Sequence, residues 1–287
     1  MIRTKIYGLS IALFIFLFFF SGCSVERQRI DVMSFNIRYN NPNDGIFSWD
    51  HRKDMVSWTI QTYKPDVLGV QEALKGQLAD LASSLPAYNW VGQGRDDGND
   101  KGEYVPVFYR KDRFSLLEEG HFWLSETPDE PGSMGWDAAC TRMVSWVKLK
   151  EINSGYSFYF FNTHFDHMGE EARQQSAQLL SDSIRLIASL KPVIITGDFN
   201  CAEGSDAFKI MTRLFDDSRD IADRTIEPLP TTYLGFPANL EETNIIDHIF
   251  LSPHFIVREY EIAAENSGGY FPSDHLPVWA RLELRMP

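Results

Sequence analysis

In Val193-Ile194-Ile195-Thr196-Gly197-Asp198-Phe199-Asn200, a carboxylate and a carboxamide stand one residue apart at the end of a short, mostly β-branched run. Such a run suits a strand buried on both faces, and alternation along it turns Asp198 and Asn200 to the same side. Two oxygen-bearing groups aimed at one point suit a metal ion, a water or a phosphate. Gly, Asp and Asn are also the common turn residues, so these eight residues alone fit a turn equally well. Polar ends of the same kind recur at Asn36, Glu72, His164, Asp247 with His248, and Asp274 with His275. Each has an ordinary explanation by itself. Their flanks are strongly apolar, however, so the groups would be half-buried and would need partners.

The elements that must carry these residues follow from periodicity. Ile30 to Arg38 reads as a strand with Asn36 near its end, and a helix follows in which Asp50 is placed as the cap. A second strand, Val67 to Val70, runs into Gln71-Glu72, and a helix marked by Leu78, Leu81 and Leu85 stops at Pro86. Strands around Trp90 and Val105 to Tyr109 flank a Gly- and Asp-rich loop, Gly92 to Gly102. Asp96, Asp97 and Asp100 in that loop lack the pattern and the closing Glu of a calcium loop. Ser125 to Cys140 is irregular and leads into a hairpin, Thr141 to Lys150 and Tyr156 to Thr163. The opening grammar then repeats as strand, helix (Glu170 to Ser189) and the Val193 strand. A short helix near Ala207 to Leu214 precedes strands at Ile245 to Leu251, Phe255 to Ala263 and Val278 to Leu284. Strands outnumber helices about two to one, which predicts two packed sheets with helices outside.

Arg3 and Lys5 precede an uncharged apolar run, Ile6 to Phe20, too short for the ~20 residues of a bilayer span. With the small Ser21 and Gly22 this makes an export signal. Phe20-Ser21-Gly22-Cys23 resembles the bacterial lipoprotein box, with Phe20 where Leu is usual, which implies acylation of Cys23 and a membrane anchor. The expected organisation is therefore a signal at 1–22, a short tether at 23–29 and one domain over 30–287. Loss of two positive charges with the signal takes the net charge from −13 to −15. A surface this acidic repels polyanions and disfavours a non-specific nucleic-acid binder, while small phosphorylated substrates remain open. Cys140 and Cys201 are expected as free thiols.

Ser34-Phe35-Asn36, Gly69-Val70-Gln71-Glu72, Asn162-Thr163-His164, Gly197-Asp198-Phe199-Asn200, Ile246-Asp247-His248-Ile249 and Ser273-Asp274-His275-Leu276-Pro277-Val278 resemble, in order, the motifs of the endonuclease/exonuclease/phosphatase superfamily. The flanks are most similar to its deadenylase and nocturnin-like branch. The resemblance implies a deoxyribonuclease I-like α/β fold, a four-layer sandwich with two mixed sheets face to face and the site at the sheet edges. It implies Glu72 as principal ligand of Mg²⁺, with Mn²⁺ as the alternative, Asn36 beside it and Asp274 as a further ligand. A single Glu with amides suits a hard ion that keeps its waters better than zinc. Asp198 would orient or deprotonate the attacking water, Asn200 would hold the phosphate or nucleophile, and His164 would touch a phosphoryl oxygen. His275, steadied by Asp247, would be a second phosphate donor or the acid–base partner.

Arg142 either reaches a substrate phosphate or is a surface strand arginine. His167 and Arg173 line the cleft or lie exposed, and Tyr270 and Phe271 stack on substrate or fill core. The implied activity is metal-assisted hydrolysis of a phosphodiester or phosphomonoester in a small compound such as a nucleotide, sugar phosphate or lipid headgroup. The alternatives are a nuclease on DNA or RNA and a non-catalytic binding lipoprotein. No obligate protein partner is evident, and a monomer is expected.

Overall fold

The computed structural model describes Ile2 and residues 28–285. The expected lipidation site, Cys23, and the signal segment apart from Ile2 lie outside the described residues. In chain order the elements are β1 (Arg29–Asn36), α1 (Trp49–Tyr63), β2 (Val67–Gln71), α2 (Lys75–Ser84), β3 (Tyr88–Val91), β4 (Val107–Arg110), β5 (Phe114–Trp123), β6 (Met143–Glu151), β7 (Ser157–His164), α3 (Glu170–Ala188), β8 (Val193–Asp198), α4 (Asp206–Met211), β9 (Asp216–Asp217), β10 (Thr225–Ile226), β11 (Asp247–Leu251), β12 (Phe255–Ile262) and β13 (Val278–Leu284). One sheet has the order β10-β12-β13-β1-β2-β4-β3 and the other β5-β6-β7-β8-β11-β9. Each has a parallel pair at its centre, β1 with β2 and β7 with β8, joined by a crossover helix, and mostly antiparallel neighbours outside it.

Three apolar layers make this a four-layer sandwich. Val32, Val67, Phe160 and Ile194 meet between the sheets. Met33, Phe35, Leu68 and Val70 pack outward with Val56 and Ile60 of α1 and Leu78 and Leu81 of α2. Phe161 and Ile195 pack outward under Leu180 and Ile184 of α3. Each fully buried Leu, Ile or Phe side chain contributes about 1.5–3 kcal/mol.

Alternation along the central strands turns alternate residues inward, and the inward rows change character from base to top. Ile30 and Val32 give way to Ser34 and Asn36, and Phe158 and Phe160 to Asn162 and His164. Ile194 is followed by Thr196 and Asp198. The site is therefore the polar crown of the inter-sheet core. Just beneath it Asn162 ties the sheets together: its Oδ1 accepts from Gln71 Nε2 at 2.7 Å and Thr196 Oγ1 at 3.0 Å, and its Nδ2 donates to the carbonyls of Val70 at 2.7 Å and Pro106 at 2.9 Å. This approach requires Gly69, where a Cβ would lie 2.1 Å from Thr196 Oγ1.

One sequence expectation changes and one strand is new. Ser48, not Asp50, is the N-cap residue of α1, and Asp50 sits in the first turn. The ten-residue β5 was not foreseen; it is an edge strand with a register shift between Leu116 and Glu118, which breaks its alternation. The Gly92 to Gly102 loop folds back on itself through Arg95 N–H to Glu103 carbonyl (3.0 Å) and Asp96 N–H to Lys101 carbonyl (3.1 Å).

Candidate active site

Asn36, at the end of β1, is the hub. Arg38 N–H donates to its Oδ1 (3.0 Å) and so fixes the amide. Its Nδ2 donates to Glu72 Oε1 (3.1 Å) and Asp198 Oδ2 (2.9 Å), and lies 3.5 Å from His275 Nε2. Glu72 directly follows β2, and by alternation would point outward. Its backbone instead takes φ 62°, which turns the carboxylate into the cavity, where Oε2 accepts Tyr39 N–H at 3.1 Å. Left-handed non-glycine residues are uncommon and cluster where function over-determines the backbone.

Asp198 ends β8. Asn200 follows at φ 47°, so it reaches the same side through a left-handed turn and not, as expected, through strand alternation. Asn200 N–H donates to Asp198 Oδ1 (2.9 Å), and its Nδ2 donates to the Phe165 carbonyl (3.0 Å) and faces His164 Nε2 (3.1 Å). His164 Nε2 lies 3.4 Å from Asp198 Oδ2. Antiparallel pairing sets Asp247 opposite Asp198, and Asp247 Oδ2 holds His275 Nδ1 at 2.9 Å, leaving His275 Nε2 3.6 Å from Asp198 Oδ2. Asp247 Oδ1 and His164 Nδ1 are buried without a hydrogen-bond partner.

The electrostatics follow from this crowding. Burial and the neighbouring Asp247 push Asp198 up to about 7, against the pull of His275 and the Asn36 and Asn200 donors. Burial opposes charge on Glu72, but His275, Asn36, the Tyr39 N–H and Arg38 outweigh it and hold this carboxyl below the usual range. Burial also opposes charge on His275, yet Asp247 and Asp198 keep the ring well above its ordinary value. His164 is pushed well below its ordinary value by burial and by the charges of Arg142 and Arg95, and is neutral.

A cavity of about 660 Å³ opens over these groups. Ligand atoms of Glu72, His164 and Asp198 lie within 4.8 Å of one another, as do those of Asp198, Asp247 and His275. The first set, two carboxylates with a neutral imidazole, fits a divalent cation; in the second, the protonated His275 has no lone pair to offer one. Asp274, expected as a ligand, belongs to neither cluster: its Oδ1 accepts from Ser273 Oγ (3.2 Å) and its Oδ2 is 3.7 Å from Arg38 Nε, at the cavity wall.

Arg142 and His167 line the cavity and face each other, Nη2 to Nδ1, at 3.1 Å. Arg173 does not line it; its Nη1 donates to the Asp166 carbonyl (3.0 Å) and supports the loop after β7. His248 alternates away from Asp247 and sits between Asp217 and the Cys201 carbonyl. Phe271 is buried in core, and the exposed Tyr270 packs near Phe47 outside the catalytic cavity. Cys140 and Cys201 are free thiols.

Sequence reasoning missed Arg52, Arg95, Glu103 and Tyr233. Arg52 is buried on α1 and donates to the carbonyls of Phe47 (2.8 Å), Arg38 (2.7 Å) and Pro272 (3.1 Å), and to that of Ile37. It thereby fastens the segment after Asn36 to the one before Asp274. Its spacing from the buried Trp49 and Val56 placed it on the inner helix face, and that was the available signal. Arg95, Glu103 and Tyr233 line the cavity from loops, where periodicity is silent. The Tyr233 ring meets that of His275 edge-on at 5.0 Å.

The model of the Endonuclease/Exonuclease/phosphatase family matches residues 33–275. Among solved structures, an endonuclease/exonuclease/phosphatase from Bacteroides vulgatus is 42% identical, with 90% of this chain and 100% of that one covered and a TM-score of 0.87. A mannosyl-6-phosphatase from Bacteroides thetaiotaomicron is 37% identical over 88% of this chain and 99% of its own, with a TM-score of 0.83. The human Nocturnin catalytic domain, at 19% identity, a TM-score of 0.69 and coverage of 91% and 97%, shares the fold.

Proposed function

The chain belongs to the endonuclease/exonuclease/phosphatase family, and from that premise we propose that it is a Mg²⁺-dependent phosphomonoesterase acting on a small phosphorylated compound, specifically a sugar phosphate. The observation that carries this reading is the buried arrangement of Asp198, His275 and Asp247 facing Glu72 across one Asn36 amide, within a cavity sized for a small molecule. The 37% identity to a mannosyl-6-phosphatase and the strongly acidic chain support a small substrate over a nucleic acid.

Glu72 would be the principal ligand of the ion, with His164 within reach of the same position. When bound, a divalent ion supplies Lewis-acid polarisation of a phosphoryl oxygen. The chain's residues do the rest. Asp198, raised toward neutrality, accepts the proton of an attacking water, a base strength suited to the operating pH. Asp247 fixes the His275 ring and keeps it protonated, so its Nε2–H donates toward charge that develops on the phosphoryl oxygens. Neutral His164 accepts from Asn200 and leaves that amide anchored to the Phe165 carbonyl beside Asp198. Arg52 keeps the Asn36 and Asp274 segments in register beneath the reaction.

The test is a substrate panel with Mg²⁺: a hexose 6-phosphate, a nucleoside monophosphate, bis(p-nitrophenyl) phosphate and a single-stranded oligonucleotide, each with and without chelator. Chelator-sensitive turnover with kcat/KM highest for the hexose phosphate is expected. Preference for the diester or the oligonucleotide, or indifference to chelator, overturns the reading.

A further inference from the structure

One wall of the cavity is not used by the chemistry above. Arg95 Nη1 and Nη2 meet Glu103 Oε2 and Oε1 at 2.7 and 2.9 Å, a bidentate pair with side chains 15% and 18% exposed. Arg142, 5% exposed, lies beside it in the cavity lining, its Nε 3.6 Å from Asp166. The Nε atoms of Arg95 and Arg142 are buried and have no hydrogen-bond partner.

The backbone holds this wall in place. Arg95 N–H donates to the Glu103 carbonyl (3.0 Å), the Arg95 carbonyl accepts from Trp123 Nε1 (2.6 Å), and Asp97 Oδ1 accepts the N–H groups of Asn99 and Lys101. A Cβ at Gly94 would stand 2.2 Å from the Lys101 carbonyl oxygen, so the fold-back depends on that glycine. The Asp-rich loop therefore serves as a mount for Arg95 and Glu103.

Each guanidinium on this wall faces a carboxylate, so no surplus positive charge is present for a second phosphate. What the wall offers is a fixed alternation of donors and acceptors. A sugar hydroxyl both donates and accepts, and can take a second Nη–H of Arg95 or Arg142 while giving its own proton to a free lone pair of Glu103. An acyl chain would need an apolar wall, and among the cavity-lining residues only Ala202 and Ile246 are aliphatic. The one ring beside this wall, that of His167, is engaged edge-on by Arg142 at 3.1 Å, so a base finds no free stacking face here.

We infer that Arg95, Glu103 and Arg142 form a hydroxyl-reading subsite for the ring of a phosphorylated sugar. This rests on the phosphomonoesterase reading and deepens it. Its residues position and select the substrate and take no part in bond cleavage.

The test compares kcat and KM for mannose 6-phosphate and p-nitrophenyl phosphate in the Mg²⁺-loaded wild type, Glu103→Gln and Arg95→Lys, with melting curves to establish folding. A charged hydrogen bond to a substrate hydroxyl corresponds to roughly 10–100-fold in kcat/KM. The variants are expected to lose that factor with the sugar phosphate, mainly through KM, and to lose at least tenfold less with p-nitrophenyl phosphate. Parallel losses with both substrates, or no loss with either, overturn the subsite while leaving the phosphomonoesterase reading intact. A wild type that hydrolyses neither monoester overturns both. A variant that fails to fold is replaced by Glu103→Asp, for which the same discrimination is required.

Discussion

At the base of the sandwich, Asp66 accepts the Asp31 backbone N–H at 2.8 Å and faces the guanidinium groups of Arg113 and, at 3.6 Å, Arg110. Asp31 is gripped by Arg29 (3.0 and 2.5 Å) and Arg281 (3.2 Å). At the top, Glu72, Asp198, Asp247 and Asp274 crowd around one imidazole, His275, with Arg38 the cation nearest Asp274. The residue types are much the same at the two ends. At the base, positive and negative groups are matched, and they stabilise the chain. At the top, like charges are held together and a carboxylate oxygen is left without a partner, an arrangement that stores binding capacity for a cation and an anion at the expense of stability.

The contrast predicts a double dissociation. Asp198→Asn should lower kcat by roughly 10²–10⁴-fold while leaving the melting midpoint unchanged or raised, because a buried like charge beside Asp247 is removed. Steady-state kinetics and calorimetry on one preparation check this, and a parallel collapse of midpoint and activity would erase the distinction between the ends. Asp66→Asn should do the reverse. It leaves Arg113 and Arg110 without their shared partner and costs about 1–3 kcal/mol in urea unfolding, with kcat within twofold of wild type.

The smallest effect comes from a group at neither end. Burial pushes His121, on β5, down to about 4, so the folded chain excludes a proton that the unfolded chain binds near 6.5. The neutral ring's contribution is full above pH 6.5 and is lost as pH falls through 6.5 toward 4. His121→Asn should therefore flatten the fall in stability between pH 7 and pH 5 by about 1–2 kcal/mol. An unchanged slope would assign acid sensitivity to the crowded top instead.

How much of this was visible beforehand depends on periodicity. Ile194 and Ile195 announce a doubly buried strand, and the passage from Phe160 to Asn162 and His164 announces a strand whose inner row turns polar. Those signals pointed to two packed sheets and to the inner rows that carry Asn36, His164 and Asp198; Glu72 joins them only through its left-handed backbone, and His275 from a loop, which alternation does not encode. Alternation also held the answer for His248, since neighbours on a strand face opposite ways and Asp247 could not share its side. β5 escaped because a bulge and two exposed glutamates break its rhythm. Arg95, Glu103 and Tyr233 escaped because loops bring them in through backbone hydrogen bonds that no spacing rule encodes.

β1 joins the two ends. Gln28 and Arg29 border the ion-paired pocket at the base, and seven residues after Arg29 the strand delivers Asn36 to the crown. At ~3.3 Å per residue that is a rigid spacer of roughly 23 Å. The chain thus enters the fold at the base, and the mouth above Asn36 opens at the opposite end of the same strand.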